Sequence, residues 1–501
     1  MKEQITVKLN GKPILATVGM TLSEILGGEK PCGGHGKCGK CKITVKGKLS
    51  EPSESELKLL SPDELASGVR LACIACALGD CEVTELSHRE KSQIVTDGDL
   101  PEFELAPSFK NYGVAIDIGT TTLAARLYTA NGAVLADASR LNPQQEWGAD
   151  VISRIEASLD GKSELLAASI RKALDNIISE LADIAKIDAR GIDAVIITGN
   201  TVMLSLLCEQ SVEPFSHAPF AVERLFGETL AAKELELSSL QSDTPVYLPP
   251  CISAFVGADI TCAILATRLC EGDKVMLADI GTNGEMAIYH DNTLTVCSTA
   301  AGPAFEGVGI SMGMRGAVGA IDKVSAEGGS LKAHVIGEGT PIGICGSGLV
   351  DAVACMLDEE ILDESGFLED ELFVIKEPVS LTKQDIRMLQ LAKSAICAGL
   401  MTLQKSEKLN ASDISTLYIA GGFGNYLNKE SAARIGLLPK ELAKNSKVVG
   451  NAALAGASMM LLNLNARREA EGFVKNANVL DLSTNPIFSD CYMSAMMLEE
   501  I

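Results

Sequence analysis

Apolar and polar residues alternate from the start of the chain. Gln4-Ile5-Thr6-Val7-Lys8-Leu9 has a strand period, Asn10-Gly11 supplies a tight turn, and residues 13–18 alternate again, which predicts a β-hairpin. Thr21 is placed to cap a short helix over Leu22–Leu26. Lys42-Ile43-Thr44-Val45 and residues 81–86 read as further strands. Residues 88–112 then hold Asp97-Gly98-Asp99, Pro101 and Pro107 and show neither period, so a linker is expected there, with the character of a tether. Beyond it, the apolar run Val114-Ala115-Ile116-Asp117-Ile118 ends in Gly119-Thr120-Thr121-Thr122 and leads into a second strand over residues 123–128. The same unit returns as Met276-Leu277-Ala278-Asp279-Ile280-Gly281-Thr282-Asn283-Gly284-Glu285, followed by a strand over residues 286–289. Asp-Ile-Gly-Thr recurs word for word, and an internal repeat of this kind predicts two similar lobes facing a shared cleft. A third apolar strand, Leu417-Tyr418-Ile419-Ala420, also runs into glycines, Gly421-Gly422-Phe423-Gly424. Residues 448–466 carry no charge but include Gly450, Asn451 and Gly456, which predicts a buried helix with a glycine entry rather than a membrane span.

Charge sharpens the division. The net charge is −23 and the pI about 4.7, which argues against a nucleic-acid partner. Residues 1–88 hold eleven Lys/Arg and eleven Asp/Glu, so the whole deficit lies in the remainder and a domain boundary is expected near residue 88. At 501 residues and 47% hydrophobic, the chain has ample core for roughly three domains. The opening residues are short, charged and alternating, unlike a secretion signal, so a cytoplasmic protein that does not enter membranes is expected. Fifteen cysteines in a reducing compartment then mean free thiols and metal ligands rather than disulfides, and nine of them, after residue 200, read as small buried apolar residues.

The other six cysteines lie early. Cys32, Cys38 and Cys41 have the spacing C-x5-C-x2-C, and Cys73 follows after 31 intervening residues. Three thiolates on one glycine-rich loop and a fourth from a distant strand suit a [2Fe–2S] cluster. Gly33, Gly34, Gly36 and Gly39 allow positive φ and close approach of N–H groups to the sulfurs. The pattern resembles that of plant-type ferredoxins, with a first gap one residue longer, and the strand order is that of a β-grasp. A zinc site using Cys73-x2-Cys76 is the alternative. Cys76 and Cys81 read as small buried residues or as substitute ligands. Lys37, Lys40 and Lys42 either favour a more negative reduced cluster or are solvated loop charges.

The repeated word suits nucleotide phosphates. An Asp at a strand end can hold Mg²⁺ directly or through water, the glycine admits the backbone closely, and turn N–H groups and threonine hydroxyls offer donors to phosphate oxygens. Asp117 and Asp279 are expected to position Mg²⁺ and the attacking water. Gly119, Thr120, Thr121, Gly281, Thr282 and Asn283 are expected to bind phosphates of ATP, and Glu285 is either a water-orienting base or a plain strand residue. Gly421-Gly422-Phe423 leaves bare backbone for a base or ribose. Gly302-Pro303 and Gly346-Ser347-Gly348 are expected to shape the nucleotide pocket, and Glu306 to be a structural contact. Gly199-Asn200-Thr201 and Gly450-Asn451-Ala452 read equally as lobe hinges or as helix-entry turns.

The two hairpins with Gly421-Gly422-Phe423 resemble the actin-like ATPase superfamily of sugar kinases, actin and heat-shock chaperones. With the cysteine segment in front, the chain resembles the ATP-dependent reductive activators of corrinoid proteins. The words that carry this are Asn142-Pro143-Gln144 with Gly148-Ala149-Asp150-Val151-Ile152-Ser153-Arg154-Ile155, the run from Asp279 to Glu285, Cys297-Ser298-Thr299-Ala300-Ala301-Gly302-Pro303-Ala304-Phe305-Glu306-Gly307, Gly343-Ile344-Cys345-Gly346-Ser347-Gly348-Leu349, and Ala420-Gly421-Gly422-Phe423-Gly424. The resemblance implies an α+β, β-grasp, ferredoxin-like domain over residues 1–88 and a linker over 89–112. A two-lobed α/β actin-like (ribonuclease H-like) ATPase follows over 113–501, with lobes near 113–255 and 256–501. It implies one-electron reduction of cobalt(II) to cobalt(I) in a corrinoid protein, iron–sulfur or methyltransferase-associated, fed by a low-potential donor and possible as a homodimer. Larger members carry a middle domain after the linker, for which too few residues remain here. The competing readings are an activator of a dehydratase, a small-acid or sugar kinase with an appended redox domain, and a redox-sensing module without turnover.

Overall fold

The structure, a computed structural model, describes residues 4–9, 11–26, 36, 39, 41–84, 98, 100–327 and 330–501. It divides into two compact units: residues 1–90 with 143–169, and residues 91–142 with 170–501.

In the first unit the alternating stretches form a hairpin, Gln4–Leu9 against Lys12–Thr17, within a mixed five-stranded sheet. Gln4–Leu9 also pairs in parallel with Ala77–Thr84, which runs antiparallel to Lys42–Leu49. Ile5, Val7, Ile43, Val45 and Val83 point to one face and bury it under the helix Leu22–Leu26. Three elements have no counterpart in the sequence reading: helices Glu54–Leu59 and Pro62–Ala66 and the strand Val69–Leu71. The first of these is announced by Ser53 and Glu56, which cap each other's backbone. Glu56 does a second job. It accepts Arg70 Nε at 2.8 Å and the Leu71 N–H at 3.0 Å, both buried. Burial pushes the Glu56 carboxyl up, yet the Arg70 guanidinium and the Ser53 and Leu71 N–H groups outweigh it and hold it below its ordinary value.

In the second unit the internal repeat becomes two six-stranded sheets of like design. In one, Tyr112–Ile118, Thr122–Thr129 and Val134–Leu141 form an antiparallel meander with Ile192–Gly199 parallel to the first strand. In the other, Val275–Ile280, Gly284–His290 and Thr293–Thr299 do the same, with Thr416–Ala420 as the parallel neighbour. The near-continuous apolar character of Tyr112–Ile118 and Val275–Ile280 fits strands covered on both faces. The charge-free stretch resolves into the strand Ser446–Gly450 and the wholly buried helix Ala452–Leu462. That helix crosses Ala258–Ala266 closely: a Cβ on Gly456 would lie 1.9 Å from the Cys262 carbonyl oxygen. The described part of the expected linker has neither helix nor strand before Tyr112, which begins the strand Tyr112–Ile118, but it is held rather than loose. Phe109 is buried, Phe103 packs on the core, and Ala106 bridges to Asn463. Lys383–Ser406 is long and apolar enough to cross a membrane by length and composition, and 78% of its apolar window is buried inside the protein.

Candidate functional site

In the first unit the fold brings Cys41 and Cys73 together. The turn at residues 72–74 follows the strand Val69–Leu71, which pairs with Lys42–Leu49 immediately after Cys41. The two sulfurs are 3.2 Å apart, too far for a disulfide and close enough to serve one metal centre. The Cys41 thiol bonded to Cys73 lowers the Cys73 pKa, burial opposes this, and the Gly36 N–H adds to the lowering, leaving it at about 6. Gly36 reaches this position with φ +63°, and a Cβ there would meet Ile74 Cδ1 at 2.9 Å. Cys32, Cys38, Gly33, Gly34, Lys37 and Lys40 lie outside the described residues. Cys81 belongs to the sheet's core, where burial raises its pKa, while Cys76 bonds the Ile74 carbonyl at 3.7 Å; Lys42 pairs with Glu64.

In the second unit a cavity of about 280 Å³ lies between the two hairpins. It is lined by Asp117, Gly119, Thr120 and Thr121 from one and by Asp279, Gly281, Thr282, Asn283 and Glu285 from the other. Each turn is closed by its own backbone, Gly119 N–H to Thr122 at 2.9 Å and Gly281 N–H to Asn283 at 3.1 Å. Asn142 Nδ2 braces the Gly119 carbonyl at 2.9 Å. Asn200 and Asn451 each act twice. Asn200 caps the helix Thr201–Leu207 and donates to Thr120 Oγ1 at 3.4 Å. Asn451 caps Ala452–Leu462 and donates to Asp117 Oδ2 at 3.0 Å. Both turns are therefore helix entries, and each also holds a hairpin residue.

Gly346 and Ser347 also line the cavity, opening the helix Gly346–Asp358, as do Gly421, Gly422 and Phe423. Gly421 takes φ +94°, and a Cβ there would lie 2.7 Å from Asp279 Oδ1. Phe423 stacks on Phe305 with ring centroids 4.6 Å apart, an apolar patch at one side of the cavity. Gly302, Pro303 and Gly348 stand behind the wall. Gly302, at φ +81°, and Pro303 start the turn that carries Phe305 and Glu306 into the cavity, and Gly348 packs against the Ile321 carbonyl. Glu306 joins both hairpins: it accepts from Thr121 Oγ1 at 2.5 Å and from Thr282 Oγ1 at 2.6 Å.

Asp259 is the residue sequence reading passed over. It opens the helix Ala258–Ala266 beside Asp117 and Asp279. Its signal is Gly257-Ala258-Asp259 before an apolar helix, a common entry that nothing local marks as chemical. Burial pushes Asp259 up to about 8, with the charges of Asp279 and Asp117 adding to it. Burial likewise brings Asp117 to about 7, against the Asn451 bond and aided by Asp279, and brings Asp279 to about 6, aided by Glu306. Glu285 is raised well above its ordinary value by burial and by Asp259, and its Oε1 is buried with no hydrogen-bond partner. Among the described residues no three of His, Cys, Asp and Glu are grouped to ligate one metal ion. A divalent cation here would therefore be held mostly through water and ligand oxygens, the manner usual for Mg²⁺.

The paired sheets and the cavity between their hairpins define an actin-like, two-lobed ATPase domain. Residues 273–501 match a family model described as the C-terminal domain of RACo, the ASKHA domain, and residues 112–272 match one described as the RACo middle region. A middle region is not expected from the chain's length, yet residues 112–272, which begin with the first hairpin, match the model that carries that description. The corrinoid activation enzyme RamQ of Eubacterium limosum is 34% identical over 77% of this chain and 70% of its own length. A Co(II) methylated amine-specific corrinoid protein reductase of Methanosarcina barkeri is 24% identical over 76% of each chain. The solved structure of a reductive activator for a corrinoid, iron–sulfur protein covers 99% of this chain and 98% of its own, at 28% identity and TM-score 0.73. The chain belongs to the family of reductive activators of corrinoid proteins.

Proposed function

We propose that this protein uses ATP to drive one electron from an iron–sulfur centre onto the cobalt(II) of a corrinoid protein, restoring cobalt(I). The observation that carries this is the joining, in one chain, of the Cys41–Cys73 pair and a carboxylate-lined cavity between twin Asp-Ile-Gly-Thr hairpins. Residues 1–88 are read as a ferredoxin-like β-grasp domain in which Cys32, Cys38, Cys41 and Cys73 hold a [2Fe–2S] cluster, residues 89–112 as the linker, and 113–501 as the ATPase. The low pKa of Cys73 and the Gly36 N–H on its sulfur suit a thiolate ligand. Such a centre supplies single electrons at low potential.

In the cavity, the glycines Gly119 and Gly281 admit phosphate oxygens close to the backbone, and N–H groups at the start of Gly346–Asp358 bind them. Asp117 and Asp279 orient the water shell of Mg²⁺, and Phe305 and Phe423 face the base. Asp259, with a pKa near the working pH, takes the proton of the water that attacks the γ-phosphate, and Glu285 orients that water. An electron moved uphill costs about 2.3 kcal/mol per 100 mV. Closing the two hairpins on ATP offsets this only to the extent that the closed form favours the cobalt(I) partner over the cobalt(II) partner. The test is anaerobic: reduced protein is added to a cobalt(II) corrinoid protein, and the cobalt(I) absorption is followed. Appearance only with ATP is expected. An equal rate without ATP refutes the coupling, and no cobalt(I) under either condition refutes the reading.

A further inference from the structure

Glu306 contacts one hydroxyl from each hairpin, Thr121 through Oε2 at 2.5 Å and Thr282 through Oε1 at 2.6 Å. In both contacts the threonine hydroxyl is the donor, and a hydroxyl has only one proton to give. Both hydroxyl protons therefore point at Glu306, and each hydroxyl meets any further partner with oxygen lone pairs rather than with a proton. The arrangement is anchored from behind. Glu306 ends a short turn, Pro303–Glu306, whose Phe305 is buried and stacked on Phe423. A phosphate oxygen brought to those lone pairs would meet acceptor against acceptor. A cation, or the protons of its bound waters, would meet what it needs.

We propose that Glu306 is a positioning residue that makes Thr121 and Thr282 acceptors for a hydrated divalent cation, not donors to phosphate. A second feature points the same way. Glu285 lines the same cavity, is nine-tenths buried, and leaves Oε1 without a donor. The phosphate oxygens then take their hydrogen bonds from backbone N–H groups, and the threonines report the metal. This replaces the expectation that the threonine hydroxyls donate to phosphate. It rests on the reading of the cavity as a nucleotide site.

The test measures metal and nucleotide separately, on the full chain and without any corrinoid protein. Mn²⁺ affinity in the presence of ADP is read by electron paramagnetic resonance, and ADP affinity in EDTA by calorimetry. Glu306→Gln keeps the shape but gives one threonine a donor to face, freeing that hydroxyl's proton. Thr282→Val removes one hydroxyl without touching Glu306. Each is expected to weaken Mn²⁺ by about tenfold or more, the scale on which partners of metal-bound groups act. ADP affinity in EDTA is expected to stay within about twofold, since backbone N–H donors, not these side chains, carry the charge-assisted bonds to phosphate. If Thr282→Val loses ADP affinity in EDTA as much as with Mn²⁺, the hydroxyl donates to phosphate and the proposal falls. Unchanged Mn²⁺ affinity in both variants overturns it equally. Failure of the unaltered protein to bind ADP at all would instead refute the nucleotide reading, and this proposal with it.

Discussion

Replacing Gly456 by alanine adds one methyl group between two helices that leave no room for it. The new Cβ would lie 1.9 Å from the Cys262 carbonyl oxygen and 2.6 Å from its Cα, where ordinary contact is about 3.5 Å. Backbone cannot swing aside as a side chain can, so Ala258–Ala266 and Ala452–Leu462 must move apart by roughly 1.5 Å, the shortfall against that contact distance. Overpacking of this kind costs about 1–3 kcal/mol, and the better helix propensity of alanine returns about 1 kcal/mol. The net loss of stability is therefore modest, at most about 2 kcal/mol, and lowers the melting temperature by only a few degrees. Function is hit harder. Asp259 sits in the first turn of one helix and Asn451, which bonds Asp117, caps the other. A displacement of about 1 Å at reacting groups can cost about a hundredfold in rate. ATP hydrolysis by Gly456→Ala is expected to fall by about that factor while calorimetry shows a folded protein. Turnover within about twofold of the unaltered protein would refute the claim that this crossing sets the geometry of the cavity.

Asp259→Asn removes one member of a crowded set of buried carboxylates. Asp117, Asp279 and Asp259 all have folded pKa values, about 7, 6 and 8, above their ordinary 3.8, so their stabilisation is complete below that value and is lost as pH rises through 6 to 8. The nucleotide-free protein should melt at lower temperature at pH 8 than at pH 5, and Asp259→Asn should flatten that slope while abolishing ATP hydrolysis; an unchanged slope counts against the burial argument. Cys73→Ser should abolish the iron–sulfur absorption and labile sulfide yet leave ADP binding intact, and a retained chromophore would reassign the ligand. Glu56→Ala strands Arg70 in the first unit's interior, which typically costs about 3–5 kcal/mol. Chemical denaturation should show that loss in the first unit's transition, and a change below about 1 kcal/mol would mean water reaches Arg70.

Elements with a regular period and loops with punctuation could be read from the chain alone. The hairpin at residues 4–17, both Asp-Ile-Gly-Thr turns and the strand into Gly421-Gly422-Phe423 were legible because side-chain alternation and glycine demands are local. The cysteine spacing was legible for the same reason, although only Cys41 and Cys73 among the four fall in the described residues. Relations between residues far apart in the chain emerged only once the sheets were assembled. Asn451 on Asp117, Glu306 across Thr121 and Thr282, and Asp259 between two other carboxylates join segments that share no local pattern. The physical reason is common to all: period and turn chemistry act over a few residues, while the charge and hydrogen bonding of a cleft depend on which strand ends the sheets bring side by side.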